Sequence, residues 1–287
     1  MTNDKAFKSW EDAVDWLRQQ PDQQDLVKAC YYDKPALQAA DRYWHSEEWH
    51  AVQTLLKQIP IGQALDVGAG NGIASYALAR DGWETTALEP DPSDDVGGGA
   101  IRLLSSQAGL RVTVVQEFGE SLPFADASFD LIHARQVLHH ARNLGKFCKE
   151  LFRVLRPGGM LIATREHVIS GPHQLQAFLD GHALHRFYGG ENAYTFKQYH
   201  DCLRAAGFKV RKVLPPFGSV INYAPHTWTT LRSELLRRAK RIPGGQVLGT
   251  LLVNSWTFQF ILPLLTLLDR RPGRLYSFVV QRPRVID

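Results

Sequence analysis

Hydrophobic residues recur at helical spacing in the first 60 residues of the chain. One stripe consists of four apolar residues spaced three or four positions apart, Phe7, Trp10, Val14 and Leu17. This spacing predicts an amphipathic helix. A second helical pattern begins at Pro35, a residue favoured in the first turn of a helix, and continues to about Ile59. We therefore predict that residues 1–60 form an N-terminal helical segment.

The spacing changes after residue 61, where short apolar runs alternate with helical patterns. Strands are predicted at residues 63–68, 84–88, 112–116, 130–134, 160–164, 208–214 and 275–281. Helices are predicted at residues 71–81, 98–108, 143–155 and 196–206. The last of these helices has Thr195 as its N-cap and Gly207 at its C-terminal end. Such alternation is typical of parallel strands joined by helical crossovers, so we predict an α/β fold with a doubly wound sheet.

Two stretches do not follow this alternation. Residues 170–194 form an insertion within a core that spans residues 61–217. Residues 218–272 form a helical insertion before the final strand of the core, which lies in residues 273–287. No internal repeat or low-complexity linker separates these parts, so the sequence predicts one large domain with helical additions.

The insertion at residues 218–272 contains an apolar run, residues 251–268, with about the length of a membrane span. Five residues interrupt the run, namely Asn254, Ser255, Thr257, Gln259 and Pro263. A span would also separate two strands that pair in one sheet, so we reject a transmembrane helix. Two interpretations remain. The run is a buried cap over the ligand site, or it dips into a membrane interface while basic residues within 232–271 contact anionic head groups.

Composition narrows the class of protein. A length of 287 residues and a hydrophobic content of 44% suit a large α/β domain that needs no disulfides. The three cysteines, Cys30, Cys148 and Cys202, have no close spacing, and the first residues lack the apolar core of a signal peptide. We therefore expect a reducing compartment and a cytoplasmic location, with peripheral membrane contact left open.

The positive charge of the chain is unevenly distributed. The net charge is +4, and residues 232–241 and 269–274 carry much of the excess. A basic cluster is either a solvated face or a surface for an anionic ligand or membrane. The composition alone leaves both interpretations open.

A glycine-rich turn joins the first predicted strand to the next helix, in the sequence LDVGAGNGIASYAL at residues 65–78. In this glycine turn, Gly68, Gly70 and Gly72 permit positive φ, and the following helix offers free N–H groups to a ligand. The spacing G-x-G-x-G differs from the dinucleotide fingerprint, and no Gly-Lys-Ser/Thr follows, which excludes a P-loop. Asp66 would repel a pyrophosphate, so the ligand should carry a positive group. S-adenosylmethionine (SAM) carries an ammonium and a sulfonium and no phosphate.

A second acid lies at the end of the next predicted strand. Glu89, in the sequence TTALEPD, comes about twenty residues after the glycine turn. An acid at this position can accept hydrogen bonds from both hydroxyls of a ribose. The turn and the acid together therefore predict a site for a ligand that contains a nucleoside.

Four segments occur in the order and spacing of one family: LDVGAGNG (65–72), LEPD (88–91), ESLPFADASFDLIHARQVLHH (120–140) and LFRVLRPGGMLIATRE (151–166). With these segments the chain resembles the class I SAM-dependent methyltransferases, particularly the small-molecule branch. The resemblance implies a Rossmann-like sheet of seven mostly parallel strands with an antiparallel last strand. It also implies that SAM is the cofactor. The methyl group would move to an O, N or C nucleophile of a small molecule, a glycan or a lipid-linked acceptor.

The resemblance also implies the residues that hold the cofactor. The methionine end of SAM would be held by Asp66, by the backbone of Gly68, Ala69 and Gly70, and by the backbone at Ala134 and Arg135. Glu89 would hold the ribose, and Pro90 would pack against the adenine. Family members often have an acid after strand three that contacts the adenine, but Phe118 stands there. Phe118 would stack on the ring or simply pack, while the N–H of Gly119 or the carboxylate of Glu117 would read the adenine edge.

Candidate catalytic bases follow strands four and five, because ligands bind at the carboxyl ends of strands in open parallel sheets. A base is needed if the nucleophile is a hydroxyl or a protonated amine. We expect His139 to serve as this base, followed in preference by His140 and then Glu166. For each residue the alternative is a structural role, in which it caps a helix or bonds to the backbone.

Three further residues are candidates for the substrate pocket. Tyr31 and Tyr43 come from the aromatic part of the N-terminal segment, and His167 follows strand five. Residues 1–60 would then form a lid over the cofactor, and residues 170–194 would lie on the substrate side. Ordinary helix packing is the alternative for the two tyrosines.

We expect no metal site, because transfer of the sulfonium methyl group needs no metal. His182 and His185 are three residues apart and could share a helix face, with His173 not far before them. No further ligand of clear spacing accompanies them.

Three other functions are consistent with parts of the sequence. A SAM-binding protein without catalysis would act through partners, but the intact turn and Glu89 argue against it. An RNA methyltransferase is suggested by the basic segments, yet no RNA-binding module is visible, and ARQV stands where base-amine methyltransferases have N/D-P-P-Y/F. We therefore do not expect a nucleic acid partner. An NAD-dependent oxidoreductase is disfavoured by the glycine spacing and by Asp66. The sequence does not reveal the oligomeric state.

Overall fold

Four helices precede the sheet in the computed structural model, which describes residues 7, 9–182, 185, 189–241 and 257–284. They are α1 (Trp10–Gln19), α2 (Gln24–Ala29), α3 (Ala36–Trp44) and α4 (Glu47–Leu56). The prediction of one helix from Pro35 to Ile59 is wrong, because the backbone leaves helical geometry at Ser46. The Ser46 hydroxyl accepts a hydrogen bond from the N–H of Trp49 at 3.1 Å and thereby caps the start of α4.

Eight strands form one sheet within the described part of the chain: β1 (Gln63–Val67), β2 (Glu84–Leu88), β3 (Val112–Val115), β4 (Phe129–Arg135), β5 (Leu155–Ile169), β6 (Tyr194–Thr195), β7 (Lys209–Leu214) and β8 (Arg274–Gln281). Their order is β3-β2-β1-β4-β5-β8-β7, and β6 pairs with the end of β5. The ladders from β3 to β5 are parallel, whereas β8 runs antiparallel to both β5 and β7. The predicted doubly wound, Rossmann-like sheet with an antiparallel last strand is therefore confirmed. The two-residue strand β6 was not predicted.

Eight more helices are described: α5 (Ile73–Arg80), α6 (Gly98–Ala108), α7 (Leu144–Val154), α8 (Leu175–Gly181), α9 (Phe196–Ala205), α10 (Val220–Tyr223), α11 (Trp228–Ala239) and α12 (Phe258–Leu268). The sequence predicts four of them, α5, α6, α7 and α9, with ends within two residues of those observed. Helix α9 starts at its predicted N-cap, where Thr195 and Gln198 each accept a hydrogen bond from the other's backbone N–H. Gly207 follows this helix with a φ of +106°.

Helices cover both faces of the sheet, which explains why its central strands are mostly buried and rich in apolar residues. Leu65 of β1 lies in a buried cluster with Leu151 of α7. Ala64, its neighbour in the strand, faces the other way and lies in a cluster with Trp49 of α4 and Leu78 of α5. Successive strand residues point to opposite faces, so the two layers hold the sheet from both sides. This packing places the carboxyl ends of β1, β2, β4 and β5 along one edge.

The helical insertion between β7 and β8 has a small apolar cluster of its own. Leu231 of α11 packs there with Phe258 and Leu262 of α12. The predicted apolar run 251–268 falls partly outside the described residues, at 251–256, and its remainder forms most of α12. Helix α12 also carries four exposed apolar side chains, Phe260, Leu264, Leu267 and Leu268. Among the helices that the structure describes, none is both long enough and apolar enough to cross a membrane.

Candidate active site

The glycine turn adopts the left-handed backbone that its sequence predicts. Gly68, Gly70 and Gly72 have φ values of +61°, +54° and +84°, which L side chains rarely adopt. A Cβ atom at Gly68 would lie 2.7 Å from Val137, so packing also demands glycine there. A Cβ atom at Gly70 would meet no described atom within 4 Å. The backbone at Gly70 is therefore open to close approach by a ligand.

Asp66 lies buried beneath the glycine turn. One of its carboxylate oxygens accepts a hydrogen bond from the Ser75 hydroxyl at 2.6 Å. The other lies 3.1 Å from Nδ1 of His133. These contacts tie β1 to α5 and β4, so Asp66 holds the turn in place from below. Direct contact with the methionine end of SAM stays a prediction.

Glu89 extends from the end of β2 to the glycine turn. Its carboxylate accepts hydrogen bonds from the N–H of Gly70 at 2.7 Å and of Asp91 at 3.0 Å. Burial raises the pKa of Glu89 above its ordinary value. The carboxylate therefore lies beside the open backbone of the turn, as the ribose role requires, although that role stays a prediction.

The residues predicted to contact the adenine have few neighbours in the protein. Pro90 and Glu117 are exposed, and the side chain of Phe118 is 69% exposed. Phe118 therefore does not pack in the core, and its stacking on the adenine ring stays a prediction. Gly119 instead packs closely, because a Cβ atom there would lie 2.4 Å from the ring of Phe147.

A buried ion pair marks the end of β4. The guanidinium of Arg135 donates hydrogen bonds to the carboxylate of Glu48 in α4 at 2.8 and 3.3 Å. Arg135 also lies 5.8 Å from the ring centroid of Tyr31 and 5.5 Å from that of Tyr43. Ala134 is fully buried. The predicted substrate residues Tyr31 and Tyr43 thus meet the predicted cofactor residue Arg135 in one cluster.

Arg165 of β5 adds a second positive charge to this cluster. Its Nη1 donates hydrogen bonds to the carbonyls of Ile221 and Ala224 at 2.8 and 3.0 Å. Burial raises the pKa of Glu48, but Arg135 and Arg165 outweigh this effect and hold the pKa below its ordinary value. Two cations therefore accompany one anion in this buried region.

The N-terminal helices and the insertion after β7 contact each other and the loops at the carboxyl edge. Asn71 donates a hydrogen bond to the carbonyl of Tyr31 at 2.8 Å. Asp95, after β2, forms ion pairs with Arg18 and with Lys34. Near α11, the N–H of Trp228 donates to Glu47 of α4 at 3.1 Å. These contacts place the N-terminal helices over the edge where the glycine turn lies.

Glu166 organises the turn that carries His139 and His140. One oxygen of this fully buried carboxylate accepts the N–H groups of Val137 and Leu138, both at 3.1 Å. The other accepts the N–H of His139 at 3.0 Å and faces its Nδ1 at 2.8 Å. With all its acceptor capacity engaged, Glu166 has no direct access to a substrate proton. We therefore replace the prediction of a catalytic base with a positioning role.

His139 is held between two carboxylates. Its Nδ1 contacts Glu166, and its Nε2 lies 3.4 Å from Glu191. Burial lowers the pKa of His139, but the carboxylates of Glu166 and Glu191 outweigh it and raise the pKa to about 9. His139 in this environment is protonated at neutral pH, which makes it a poor base. His140 is exposed, with Nδ1 3.0 Å from the carbonyl of Gly190, and is the more accessible candidate.

His167, predicted to line the substrate pocket, is buried beside His139. The two ring centroids are 4.7 Å apart. Nδ1 of His167 lies 3.0 Å from the carbonyl of Gly273 and donates to it. Burial lowers the pKa of His167 well below its ordinary value, so the ring is neutral. Contact between His167 and a substrate stays a prediction.

Sequence reasoning missed three charged residues of the site, Glu48, Arg165 and Glu191. Glu48 and Arg135 are 87 residues apart in the chain, and no local pattern announces their pairing. The aromatic and acidic sequence YWHSEEW at residues 43–49, which contains Glu48, was the nearest available signal. Glu191 follows two glycines in the stretch that the sequence marks only as an insertion.

The fold and the site define a Rossmann-like domain with a glycine turn and an acid at the end of β2. Residues 65–163 match a protein-family model described as a methyltransferase domain. The resemblance to class I SAM-dependent methyltransferases is therefore confirmed for these residues.

Individual relatives agree with this assignment. An uncharacterized methyltransferase of Mycobacterium sp. (strain JLS) is 38% identical over 141 residues, which are 47% of this chain and 50% of that protein. A dimethylglycine N-methyltransferase of Parasynechococcus marenigrum (strain WH8102) is 31% identical over 182 residues, 54% of this chain and 64% of that protein. The chain thus spans between half and two thirds of the length of these curated relatives.

A solved structure supports the fold over nearly the whole chain. The protein comes from Galdieria sulphuraria and is provisionally named a sarcosine dimethylglycine methyltransferase. It has a TM-score of 0.59 and 19% sequence identity, and the match covers 96% of this chain and 99% of that chain. At this identity the comparison shows the fold alone.

Proposed function

We propose that this protein transfers the methyl group of SAM to a nucleophile of a small molecule. The observation that carries the proposal is the contact between Glu89 and the N–H of Gly70 at 2.7 Å. It brings a ribose-binding acid and an open glycine backbone to the same point of the sheet edge. A bound nucleoside would exchange this internal hydrogen bond for bonds from its ribose hydroxyls.

The remaining cofactor contacts follow from this placement. The backbone of Gly68, Ala69 and Gly70 would hold the methionine end, together with the backbone at Ala134 and Arg135. The exposed rings of Pro90 and Phe118 would pack against the adenine, and Gly119 or Glu117 would read its edge. Asp66 would act mainly through the turn that it supports.

The acceptor would lie beneath the N-terminal helices, next to Tyr31 and Tyr43. Two buried donors in this region, the Tyr43 hydroxyl and Nε of Arg165, have no hydrogen-bond acceptor among the described residues. These two donors, together with the excess positive charge of Arg135 and Arg165 over Glu48, favour a methyl acceptor that carries a carboxylate or phosphate group. The cyanobacterial relative is named for dimethylglycine, a small carboxylate, which agrees with this preference.

Methyl transfer needs alignment and exclusion of water more than it needs acid–base chemistry. The nucleophile forms a bond to the methyl carbon while the bond from that carbon to sulfur breaks, and S-adenosylhomocysteine leaves. A hydroxyl or ammonium acceptor must also lose a proton. We propose that His140, the accessible histidine of the turn, accepts it.

Calorimetry with SAM tests the cofactor site, and two glycines form a matched pair. Gly70 and Gly109 have φ values of +54° and +65°, and at both a Cβ atom would meet no described atom within 4 Å. Gly70→Ala and Gly109→Ala should therefore lose similar stability, about 1 kcal/mol each. Only Gly70→Ala should weaken SAM binding, at least several-fold, because its methyl group enters the ligand space. Binding of NADH in place of SAM, or unchanged SAM binding by Gly70→Ala, would overturn the proposal.

Activity is tested with SAM that carries a labelled methyl group and a panel of small amines, alcohols and carboxylates. Mass spectrometry of the products identifies the acceptor and the methylated atom. His140→Ala should lower kcat for acceptors that must lose a proton and leave SAM binding unchanged. Binding of SAM without transfer to any acceptor in the panel would favour the non-catalytic alternative.

A further inference from the structure

A cluster of nitrogen and oxygen donors lies at the turn that bears His139, and none of its residues has a role in the proposed cofactor site. One ring nitrogen each of His139 and His167 and one carboxylate oxygen of Glu191 lie within 4.8 Å of one another. Both histidines are buried, and the side chain of Glu191 is 11% exposed. The turn that bears His139 also contains Val137, which lies against Gly68. The cluster is therefore adjacent to the predicted methionine end of the cofactor site.

Both histidine rings are oriented by a partner on their other nitrogen. Nδ1 of His139 contacts the Glu166 carboxylate at 2.8 Å, and Nδ1 of His167 contacts the carbonyl of Gly273 at 3.0 Å. Metal-binding histidines almost always have such a partner, which fixes the tautomer and directs the free nitrogen at the metal. Here the arrangement directs both Nε2 atoms into the cluster.

The inner atoms of the cluster lack hydrogen-bond partners. Nε2 of His167 and Oε2 of Glu191 are buried and unsatisfied among the described residues. Leaving a buried polar atom unpaired costs about 1–3 kcal/mol, so each such atom calls for an explanation, and a bound ion is one such explanation. The distance between Nε2 of His139 and Oε2 of Glu191 is 3.4 Å. Two ligands bound about 2.1 Å from a tetrahedral zinc ion are also about 3.4 Å apart.

We propose that His139, His167 and Glu191 bind one divalent transition-metal ion of the Zn²⁺ class. Two imidazoles and a carboxylate suit zinc, iron(II) or cobalt(II) better than magnesium or calcium, which prefer oxygen ligands alone. The ion would take the place of the proton between His139 and Glu191.

Glu191 can complete the site by a small movement. The largest separation of the donors, up to 4.8 Å, must shorten by as much as about 1.4 Å for tetrahedral binding. Gly189 and Gly190 precede Glu191, and a Cβ atom at either would meet no described atom within 4 Å. The backbone there has space to adjust while the two histidines stay fixed by their partners.

The sequence directed attention to other histidines. His173 is exposed and is not part of the cluster. His182 packs against His167 with ring centroids 5.2 Å apart, and its Nδ1 lies 3.8 Å from the Glu191 carboxylate. His182 therefore borders the site, and it would be the nearest additional ligand.

Three protein ligands leave at least one position open on the ion. An acceptor oxygen or sulfur bound there would have a lowered pKa, which would assist its attack on the methyl group. This catalytic use rests on the proposed function, whereas metal binding itself does not.

Titration of chelator-treated protein with Co²⁺ and Zn²⁺ tests the site directly. We expect one ion per chain, a visible Co²⁺ absorption typical of low coordination number, and displacement of Co²⁺ by Zn²⁺. His167→Ala and Glu191→Gln should weaken binding at least ten-fold, while the exposed His173→Ala should bind like the wild type. Circular dichroism monitors the fold. If His167→Ala does not fold, Glu191→Gln, a change in a partly exposed side chain, still decides the test.

Absence of saturable Co²⁺ binding, or equal binding by Glu191→Gln and His173→Ala, would overturn the metal site. SAM calorimetry on the same chelator-treated protein separates this outcome from the proposed function. Failure to bind SAM would count against the methyltransferase proposal and leave the metal result standing.

Discussion

Replacing Glu166 by glutamine should destabilise the protein strongly, although the change hardly alters side-chain size. The wild-type carboxylate accepts hydrogen bonds from three consecutive backbone N–H groups and faces Nδ1 of His139. Glutamine keeps one acceptor oxygen and places an NH₂ group where the second oxygen was. Two of the four donors would then face another donor inside a fully buried site.

The magnitude follows from the loss of these two contacts. A hydrogen bond to a charged group contributes about 1.5–3 kcal/mol, so the loss of two in Glu166→Gln should cost roughly 3–6 kcal/mol. That is a large fraction of the roughly 5–15 kcal/mol that stabilises a typical domain. Urea denaturation followed by circular dichroism should therefore show a clear fall in the free energy of unfolding.

Glu120→Gln is the matched control. Glu120 also accepts a backbone N–H, that of Asn143 at 2.8 Å, but it does so at an exposed position. The amide oxygen of glutamine can replace that single contact, so this variant should change stability by about 0.5 kcal/mol or less. If Glu166→Gln loses no more stability than Glu120→Gln, the carboxylate does not hold the histidine-bearing turn as described.

Three further outcomes follow from the structure. Gly68→Ala should lower the free energy of unfolding, measured with urea, by roughly 1–3 kcal/mol more than Gly109→Ala does. Both positions have positive φ, but only at Gly68 would the added Cβ atom clash with Val137. Equal losses would show that Val137 moves away at no cost. As the pH is lowered towards 4.5, the ordinary pKa of Glu, SAM affinity should already begin to fall, because burial raises the pKa of Glu89 and the ionised carboxylate is the better acceptor for ribose hydroxyls. Calorimetry between neutral pH and pH 4.5 checks this, and a constant affinity would contradict it. If the exposed face of α12 contacts a membrane, the wild-type protein should float with anionic vesicles at low salt, and the Phe260→Ser variant should not. No flotation of the wild-type protein at low salt would leave the cap interpretation.

Most helices and strands could be predicted from the sequence, because the signals for them lie in residues that are close together in the chain. The glycine turn requires three positive φ values, and the Thr195 cap requires only a hydroxyl and a glutamine three residues later. The same kind of signal at Ser46 was present but outweighed by the longer helical pattern around it. Strand β6 has two residues, too few to show any periodicity.

The chemistry of the site was less predictable because it depends on contacts between distant parts of the chain. The position of Glu89 after the second strand was enough to place it beside the glycine turn. By contrast, Glu166 follows the strand predicted at 160–164, and this position predicted access to a substrate. In the structure Glu166 lies within β5, and three backbone amides occupy its carboxylate. The grouping of His139, His167 and Glu191 depends on how β4, β5 and the following insertion pack. No spacing in the sequence encodes that packing.

The position of β8 has a consequence for the biosynthesis of this protein. This strand follows the other described strands in the chain, yet it lies between β5 and β7 in the sheet. About 60 residues separate the end of β7 from the start of β8, and a ribosome needs roughly 3–12 s to add them. During that interval the unpaired edge of β5 offers its N–H and C=O groups to any strand nearby. The nascent chain, rather than the finished protein, is therefore the form that most needs protection by a chaperone.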